Sequence, residues 1–211
     1  MDRFKTVLAS IFLALLIMTS GVVIALNFRP LYYYMSEKLS IPASAGFSEE
    51  EARADYDALI SYNSIFGSKT LEFNDIPQSE GGRIHFYEVK RIFVIIEITM
   101  YISLVATILL SIERIKSKKY SYLKYGSLTA VLLPVAVGVP AALFWEKTFI
   151  TFHKIAFSND YWMMDPRTDP IVLILPEEYF AACTALIAGL IILFSVAAFI
   201  TYKILKKREK V

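Results

Sequence analysis

Cysteine and histidine are scarce in this sequence, which holds one cysteine and two histidines among 211 residues. A single thiol, Cys183, excludes an intramolecular disulfide and a thiolate metal cluster. Because its apolar neighbours suppress the reactive thiolate form, we expect Cys183 to pack against other side chains and not to act as a nucleophile. The two histidines lack the HxxxH or HExxH spacing of a preformed metal site, and no metal or other cofactor is predicted.

The common catalytic motifs are missing as well. The sequence has no GxSxG, no Walker loop, no dinucleotide fingerprint and no HxxxxD box. Their absence leaves the familiar nucleophile and phosphate chemistries without support.

Charged residues are absent from three long stretches and nearly absent from a fourth, although 20% of the residues are charged and 56% are hydrophobic. A bilayer core of about 30 Å needs roughly 20 apolar residues to cross it as a helix. The uncharged or nearly uncharged runs 7–26, 92–112, 125–144 and 180–202 meet this length. The sequence therefore predicts an α-helical integral membrane protein with four transmembrane helices.

The first of these runs could be mistaken for a secretory signal peptide, since Arg3 and Lys5 precede it. The nearest AxA-like site, at residues 43–45, lies too far beyond the run, which is itself of full spanning length. We interpret it as a retained helix.

Basic residues are unevenly distributed among the segments that flank the spans. The two termini and the loop 113–124 contain twelve lysines and arginines, whereas the loops 27–91 and 145–178 contain ten against sixteen carboxylates. By the positive-inside rule, both termini are predicted to be cytoplasmic and the two long loops extracytoplasmic, where they would form a small subdomain.

Loop 27–91 contains two helix-start signals. Ser48 followed by three glutamates predicts a capped helix running to about residue 65 and ending at Gly67. Ser79 before two glycines predicts a second cap, with a helix that continues into the second span. Between them, the alternation in 69–76 indicates one short strand, and the tyrosines at 32–34 are interpreted as an interfacial anchor.

Loop 145–178 begins with a stretch that is apolar around nearly all its faces, and we expect it to lie at the membrane interface. The short apolar run 171–175 is predicted to be a strand or a re-entrant piece. Within the second span, Glu97 is either a functional intramembrane carboxylate or an acid that pairs with Arg91 or Lys90.

Both histidines fall in the long loops, and each has carboxylates nearby in sequence. His85 lies near Glu88, and His153 lies near Asp160 and Asp165. Imidazole is the side chain best suited to proton transfer near neutral pH, so the pair is a candidate for acid-base chemistry. Alternatively, each histidine is a solvated surface residue without a catalytic role.

Three segments resemble the lipoprotein intramolecular transacylase family, Lit, of Gram-positive bacteria. They are NFRPLYYYMS at 27–36, SEGGRIHFYEVKRIF at 79–93 and FHKIAFSNDYWMMDPRTDPIVLILPEEYF at 152–180. The resemblance covers almost the whole chain. It implies an acyltransferase of the bacterial plasma membrane, acting on a diacylglyceryl lipoprotein at the outer face, without a cofactor and without a nucleic-acid partner.

The implied reaction moves the sn-2 acyl chain from the glycerol of the lipidated cysteine to that cysteine's own α-amino group, leaving a lyso-form lipoprotein. In this interpretation His85 is the general base, and His153 stabilises the oxyanion or passes the proton to the leaving oxygen; the two roles could be exchanged. The residues expected to line the site or fix an imidazole are Arg83, Glu88, Tyr161, Trp162 and Asp165.

A non-enzymatic alternative stays open on the sequence: a four-helix membrane protein that binds a partner or assists envelope assembly through its loops. It predicts that either histidine can be replaced without loss of function, whereas the enzyme interpretation predicts the opposite.

Overall fold

The computed structural model describes residues 2–74 and 76–209. Within these ranges the chain folds into nine α-helices and contains no β-strand. The helices are α1 (Asp2–Asn27), α2 (Arg29–Leu39), α3 (Ile41–Ala45), α4 (Glu49–Tyr62), α5 (Glu80–Lys116), α6 (Ser121–Leu143), α7 (Trp145–Ala156), α8 (Ile171–Ile174) and α9 (Glu177–Arg208).

Four of these helices, α1, α5, α6 and α9, are long and apolar enough to cross a membrane. The predicted fold class, a helical membrane protein with four transmembrane helices, is therefore confirmed. The chain divides into two compact units, of which the first contains residues 2–24, 96–140 and 185–209, and the second contains 25–95 and 141–184.

The first unit is held by apolar side chains of α1, α6 and α9, with Leu13, Ile17, Ala130 and Ile191 all buried. Arg114, near the end of α5, contacts the start of α1. Its guanidinium is 1% exposed and donates hydrogen bonds to the Asp2 carboxylate at 2.6 Å and to the Thr6 hydroxyl at 2.6 Å. A buried cation is costly unless it is paired, and these two oxygens supply the partners.

The second unit confirms the predicted cap of α4. The hydroxyl of Ser48 accepts the N–H of Glu51, and the Glu51 carboxylate accepts the N–H of Ser48. The helix ends at Tyr62, before the predicted residue 65. The chain turns back so closely that a Cβ at Gly67 would lie 2.4 Å from the carbonyl oxygens of Ser61 and Tyr62.

The tyrosines at 32–34 do not form one surface, and the interpretation as an interfacial anchor is wrong for Tyr32. The Tyr32 ring is fully buried and stacks on Tyr56 with centroids 3.7 Å apart, while the Tyr33 hydroxyl bonds to Asp57. Tyr34 is 62% exposed. Consecutive residues of a helix point about 100° apart, so three in a row cannot share a face.

The predicted strand at 69–76 is also wrong, and so is the strand alternative for 171–175. Residues 69–74 and Ile76 form no strand, and Asp75 lies outside the described residues, as does Lys210 of the basic C-terminal segment. Residues 171–174 form the short helix α8, whose Ile171 and Ile174 are fully buried. An alternating run needs a partner strand for its backbone hydrogen bonds, and the described residues offer none.

The start of α5 is fixed by two side chains. The hydroxyl of Ser79 accepts the N–H of Gly82 at 2.9 Å, as its predicted capping role requires. Asp169, which is 2% exposed, accepts the N–H of Ser79 at 2.8 Å and the hydroxyl hydrogen of Thr168 at 2.8 Å. Asp169 therefore ties the loop before α8 to the first turn of α5.

Gly82 must lack a side chain for this contact. A Cβ at Gly82 would lie 2.1 Å from Oδ1 of Asp169. We expect Gly82→Ala to lower the free energy of unfolding by about 1 to 3 kcal/mol, because the carboxylate cannot move without losing its bond to Ser79. Thermal unfolding in detergent measures the change. Gly189→Ala, where a Cβ meets no atom within 4 Å, is the control, and an equal loss in both variants would contradict this account.

Candidate active site

The second unit brings the two histidines together. His85 lies in the second turn of α5 and is 6% exposed, and His153 lies in the last turn of α7. Their ring centroids are 6.2 Å apart, and their planes are inclined by 31°. A proton donor or acceptor works within about 2.6–3.2 Å of the atom it serves, so one small reacting group could contact both rings.

Aromatic side chains surround the pair. The ring of Phe157 is centred 4.7 Å from that of His85, and the rings of Phe149 and Trp162 are centred 4.1 and 4.9 Å from that of His153. Phe149 and His153 are four residues apart on α7 and therefore share a face of the helix. These apolar walls bury His85 and partly bury His153.

The hydrogen bond of His153 defines its tautomer. Its Nδ1 lies 2.8 Å from the carbonyl oxygen of Phe149. A carbonyl oxygen can only accept, so Nδ1 carries the proton and donates it. In the neutral ring, Nε2 then holds a lone pair.

Burial lowers the pKa of both histidines, but to different extents. His85 precedes the apolar run of α5, and burial, with the neighbouring His153 adding to it, lowers its pKa to about 4. For His153, burial lowers the pKa, whereas the bond to the Phe149 carbonyl raises it. Both rings are neutral near pH 7, and His153 is the stronger base of the two.

Glu88 lies one turn beyond His85 on α5. Its Oε1 accepts the side-chain N–H of Asn159 at 2.9 Å, and its Oε2 is buried without a hydrogen-bond partner among the described residues. An unsatisfied buried carboxylate oxygen is costly, which makes it a candidate acceptor for a substrate N–H.

Of the other predicted site residues, Trp162 lies against the ring of His153, as described above. Asp165 forms an ion pair with Arg167 at 2.6 Å, and this pairing lowers the pKa of Asp165 to about 2. Arg83 is exposed, and Tyr161 packs against Gly81 in the first turn of α5. The carboxylate of Asp165 is thus paired with Arg167. The group that fixes the His153 imidazole is the backbone carbonyl of Phe149.

Sequence reasoning missed four contributors: the carbonyl of Phe149, the ring of Phe157, the amide of Asn159 and the carboxylate of Asp169. Helical spacing alone could have paired Phe149 with His153, since residues four apart share a face. The other three come from loop geometry that no local pattern encodes. No group of three or more potential metal ligands occurs within residues 2–74 and 76–209.

Comparison with known proteins assigns the family. The family model for lipoprotein intramolecular transacylase, Lit, matches residues 7–180. The structure is similar to the in meso structure of the membrane integral Lit from Bacillus cereus, with 36% identity, a TM-score of 0.97 and coverage of 100% of this chain and 98% of that chain.

Two further in meso structures of Bacillus cereus Lit, one with a histidine-to-arginine and one with a histidine-to-alanine mutation, are each 35% identical and match with TM-scores of 0.90. They cover 100% of this chain and 94% and 96% of their own chains. No curated protein sequence matches this chain. The family model and the full-length structural likeness agree: this chain belongs to the lipoprotein intramolecular transacylase family, and it is a membrane-integral acyltransferase.

Proposed function

We propose that this enzyme moves the sn-2 acyl chain of a diacylglyceryl-modified N-terminal cysteine to the α-amino group of the same cysteine, giving a lyso-form lipoprotein. The observation that carries the proposal is the pair of neutral imidazoles, His85 and His153, 6.2 Å apart within aromatic walls. Such a pair offers both a base and an N–H donor to one reacting carbonyl group.

The reaction needs orientation and proton transfer. The amine nitrogen bonds to the ester carbonyl carbon through an eight-membered ring, the bond from that carbon to the glycerol oxygen breaks, and the proton passes from nitrogen to the glycerol oxygen. An ester-to-amide exchange runs downhill and requires no cofactor. Holding the substrate in the ring-closing conformation can supply up to about 7 to 11 kcal/mol of the barrier.

His153 is the better candidate for the general base. The family resemblance was first interpreted with His85 as the base, and the two roles are exchanged here. Its Nδ1–H is committed to the Phe149 carbonyl, leaving Nε2 as the acceptor. The α-amine, with an ordinary pKa near 8, must attack in its neutral form. As the C–N bond forms, its proton becomes acidic, and Nε2 of His153 takes it and returns it to the glycerol oxygen.

His85 is the better candidate for the oxyanion donor. Its pKa, lowered to about 4 by burial and by the charge on His153, keeps it neutral when His153 carries the proton. A neutral imidazole has one N–H in either tautomer and can donate it to the carbonyl oxygen. The same ring is a poor base for an ammonium group.

The remaining site residues are assigned to the substrate. Oε2 of Glu88 has no hydrogen-bond partner among the described residues and is assigned to accept an N–H of the α-amine. Trp162 packs on His153. We assign Arg83, Tyr161 and Asp165 to the lipoprotein's polypeptide, because Arg83 and Tyr161 are exposed and the Asp165 side chain is 41% exposed.

Orientation follows from charge. We place the spans at 7–26, 92–112, 125–144 and 180–202, with both termini in the cytoplasm and the loops 27–91 and 145–178 outside. The twelve lysines and arginines of the two termini and the short loop 113–124 support this assignment. Lipidated N-termini lie at the outer leaflet of the bacterial plasma membrane, so the histidines belong on that side.

Mass spectrometry of a lipoprotein N-terminal peptide tests the proposed reaction. When the enzyme is expressed in a cell lacking N-acylating activity, we expect one acyl chain to move to the amine at constant total mass. His85→Ala and His153→Ala should each reduce the rate by about 10²- to 10⁴-fold, because each removes a proton donor or acceptor. Thr151→Ala, an exposed position of α7, is the control and should leave the rate unchanged.

Untouched diacylglyceryl peptide with the wild-type enzyme would overturn the proposed reaction. Full activity of either alanine variant would remove that histidine from the mechanism.

Glutamine substitutions separate the two roles, since a glutamine amide can donate a hydrogen bond but cannot act as a base. We expect His85→Gln to keep about tenfold more activity than His85→Ala, because it restores an oxyanion donor. His153→Gln should be as inactive as His153→Ala, within about twofold. Initial rates with a lipidated peptide in detergent give the comparison. The opposite ranking would make His85 the base.

A further inference from the structure

A groove of about 470 Å³ runs between α5 and the end of α7 within the second unit. It lies beside the histidine site, because its Phe157 wall also contacts the ring of His85. Its charged lining consists of Glu88, Arg91 and Lys154. The main apolar lining residues are Ile92, Ile95, Ile155 and Phe157.

The two cations of the groove are available to a ligand. Arg91 and Lys154 are both exposed, and neither forms an ion pair with another described residue. The carboxylate of Glu88 opposes them, but its Oε1 is bonded to Asn159 and its Oε2 is buried. The two cations outnumber the single carboxylate, so the net charge of the groove lining is positive.

The apolar part of the groove begins directly beside this charge. Ile92 follows Arg91 in the chain, and Ile95 lies one turn farther along α5, at the start of its apolar run. On α7, Ile155 is 81% exposed and follows Lys154. Each wall thus presents a cation followed by an aliphatic surface, which matches a molecule with an anionic head and a hydrocarbon tail.

We propose that this groove binds an anionic glycerophospholipid of the bilayer, with its phosphate between Arg91 and Lys154 and an acyl chain along Ile92, Ile95 and Ile155. Arginine and lysine are the usual partners of phosphate oxygens, and basic residues at the end of a membrane span lie at headgroup level. The aliphatic side chains bury the acyl chain by the hydrophobic effect.

The lipoprotein substrate fits the groove less well. A diacylglyceryl cysteine carries no phosphate that could bind Arg91 and Lys154. The bound lipid is accordingly a separate molecule that forms part of the wall next to Phe157, and the proposal holds whether or not the histidine roles are assigned correctly.

Thermal unfolding of the purified full-length protein in a non-ionic detergent tests the site. Phosphatidylglycerol titrated into the micelles should raise the Tm by about 3 °C or more, since a ligand that binds only the folded state stabilises it. Phosphatidylcholine and inorganic phosphate should each give less than half of this shift. Arg91→Gln combined with Lys154→Gln should abolish the preference for phosphatidylglycerol.

Lys147→Gln is the matched control, because Lys147 is an exposed lysine of the same helix that does not line the groove. It should keep the full shift. The two single variants are measured as well, so the test does not depend on the double variant folding, and each should lose part of the shift.

Native mass spectrometry of the same samples provides a second readout, with phosphatidylglycerol retained on the wild type and lost from the double variant. Equal shifts with phosphatidylcholine, an equal shift with inorganic phosphate alone, or an undiminished shift in the double variant would each overturn the proposal.

Discussion

The hydrogen bond from Nδ1 of His153 to the carbonyl oxygen of Phe149 is the interaction on which the proposed chemistry depends. It commits one ring nitrogen to the helix backbone and thereby leaves Nε2 as a lone-pair acceptor near His85. The bond also opposes the effect of burial on the pKa of His153, whereas the burial of His85 has no such compensation. One backbone carbonyl therefore makes two neighbouring imidazoles chemically unequal.

The fold fixes the two helices that carry the histidines, α5 with His85 and α7 with His153. The first turn of α5 is held by hydrogen bonds of Ser79 and Asp169. The Asp169 carboxylate fits there because Gly82 has no Cβ. On α7, the helical repeat that aligns Phe149 with His153 also supplies the accepting carbonyl. A functional group must be held within a fraction of an ångström by its supporting structure, and these contacts supply that support for both histidines.

The sequence predicted what depends on local pattern or on solvent. The four long apolar runs predicted the helical membrane fold, and Ser48 and Ser79 marked the starts of α4 and α5, because bilayer thickness and backbone capping act on short segments. It failed where one segment depends on another. The burial of Tyr32 requires Tyr56, and the conformation of 171–174 depends on a core that the run does not contain. Likewise the pairing of the histidines arises from tertiary contacts.

Nitrogen NMR of the protein labelled with ¹⁵N-histidine can distinguish the two imidazoles, because the chain has only two histidines and each contributes two ring nitrogens. At pH 7 we expect His153 to be neutral, with a protonated Nδ1 and an unprotonated Nε2, and on acidification we expect His153 to gain a proton before His85 does. A His153 ring protonated at Nε2 alone, or a His85 that titrates first, would contradict the assignment of His153 as the base.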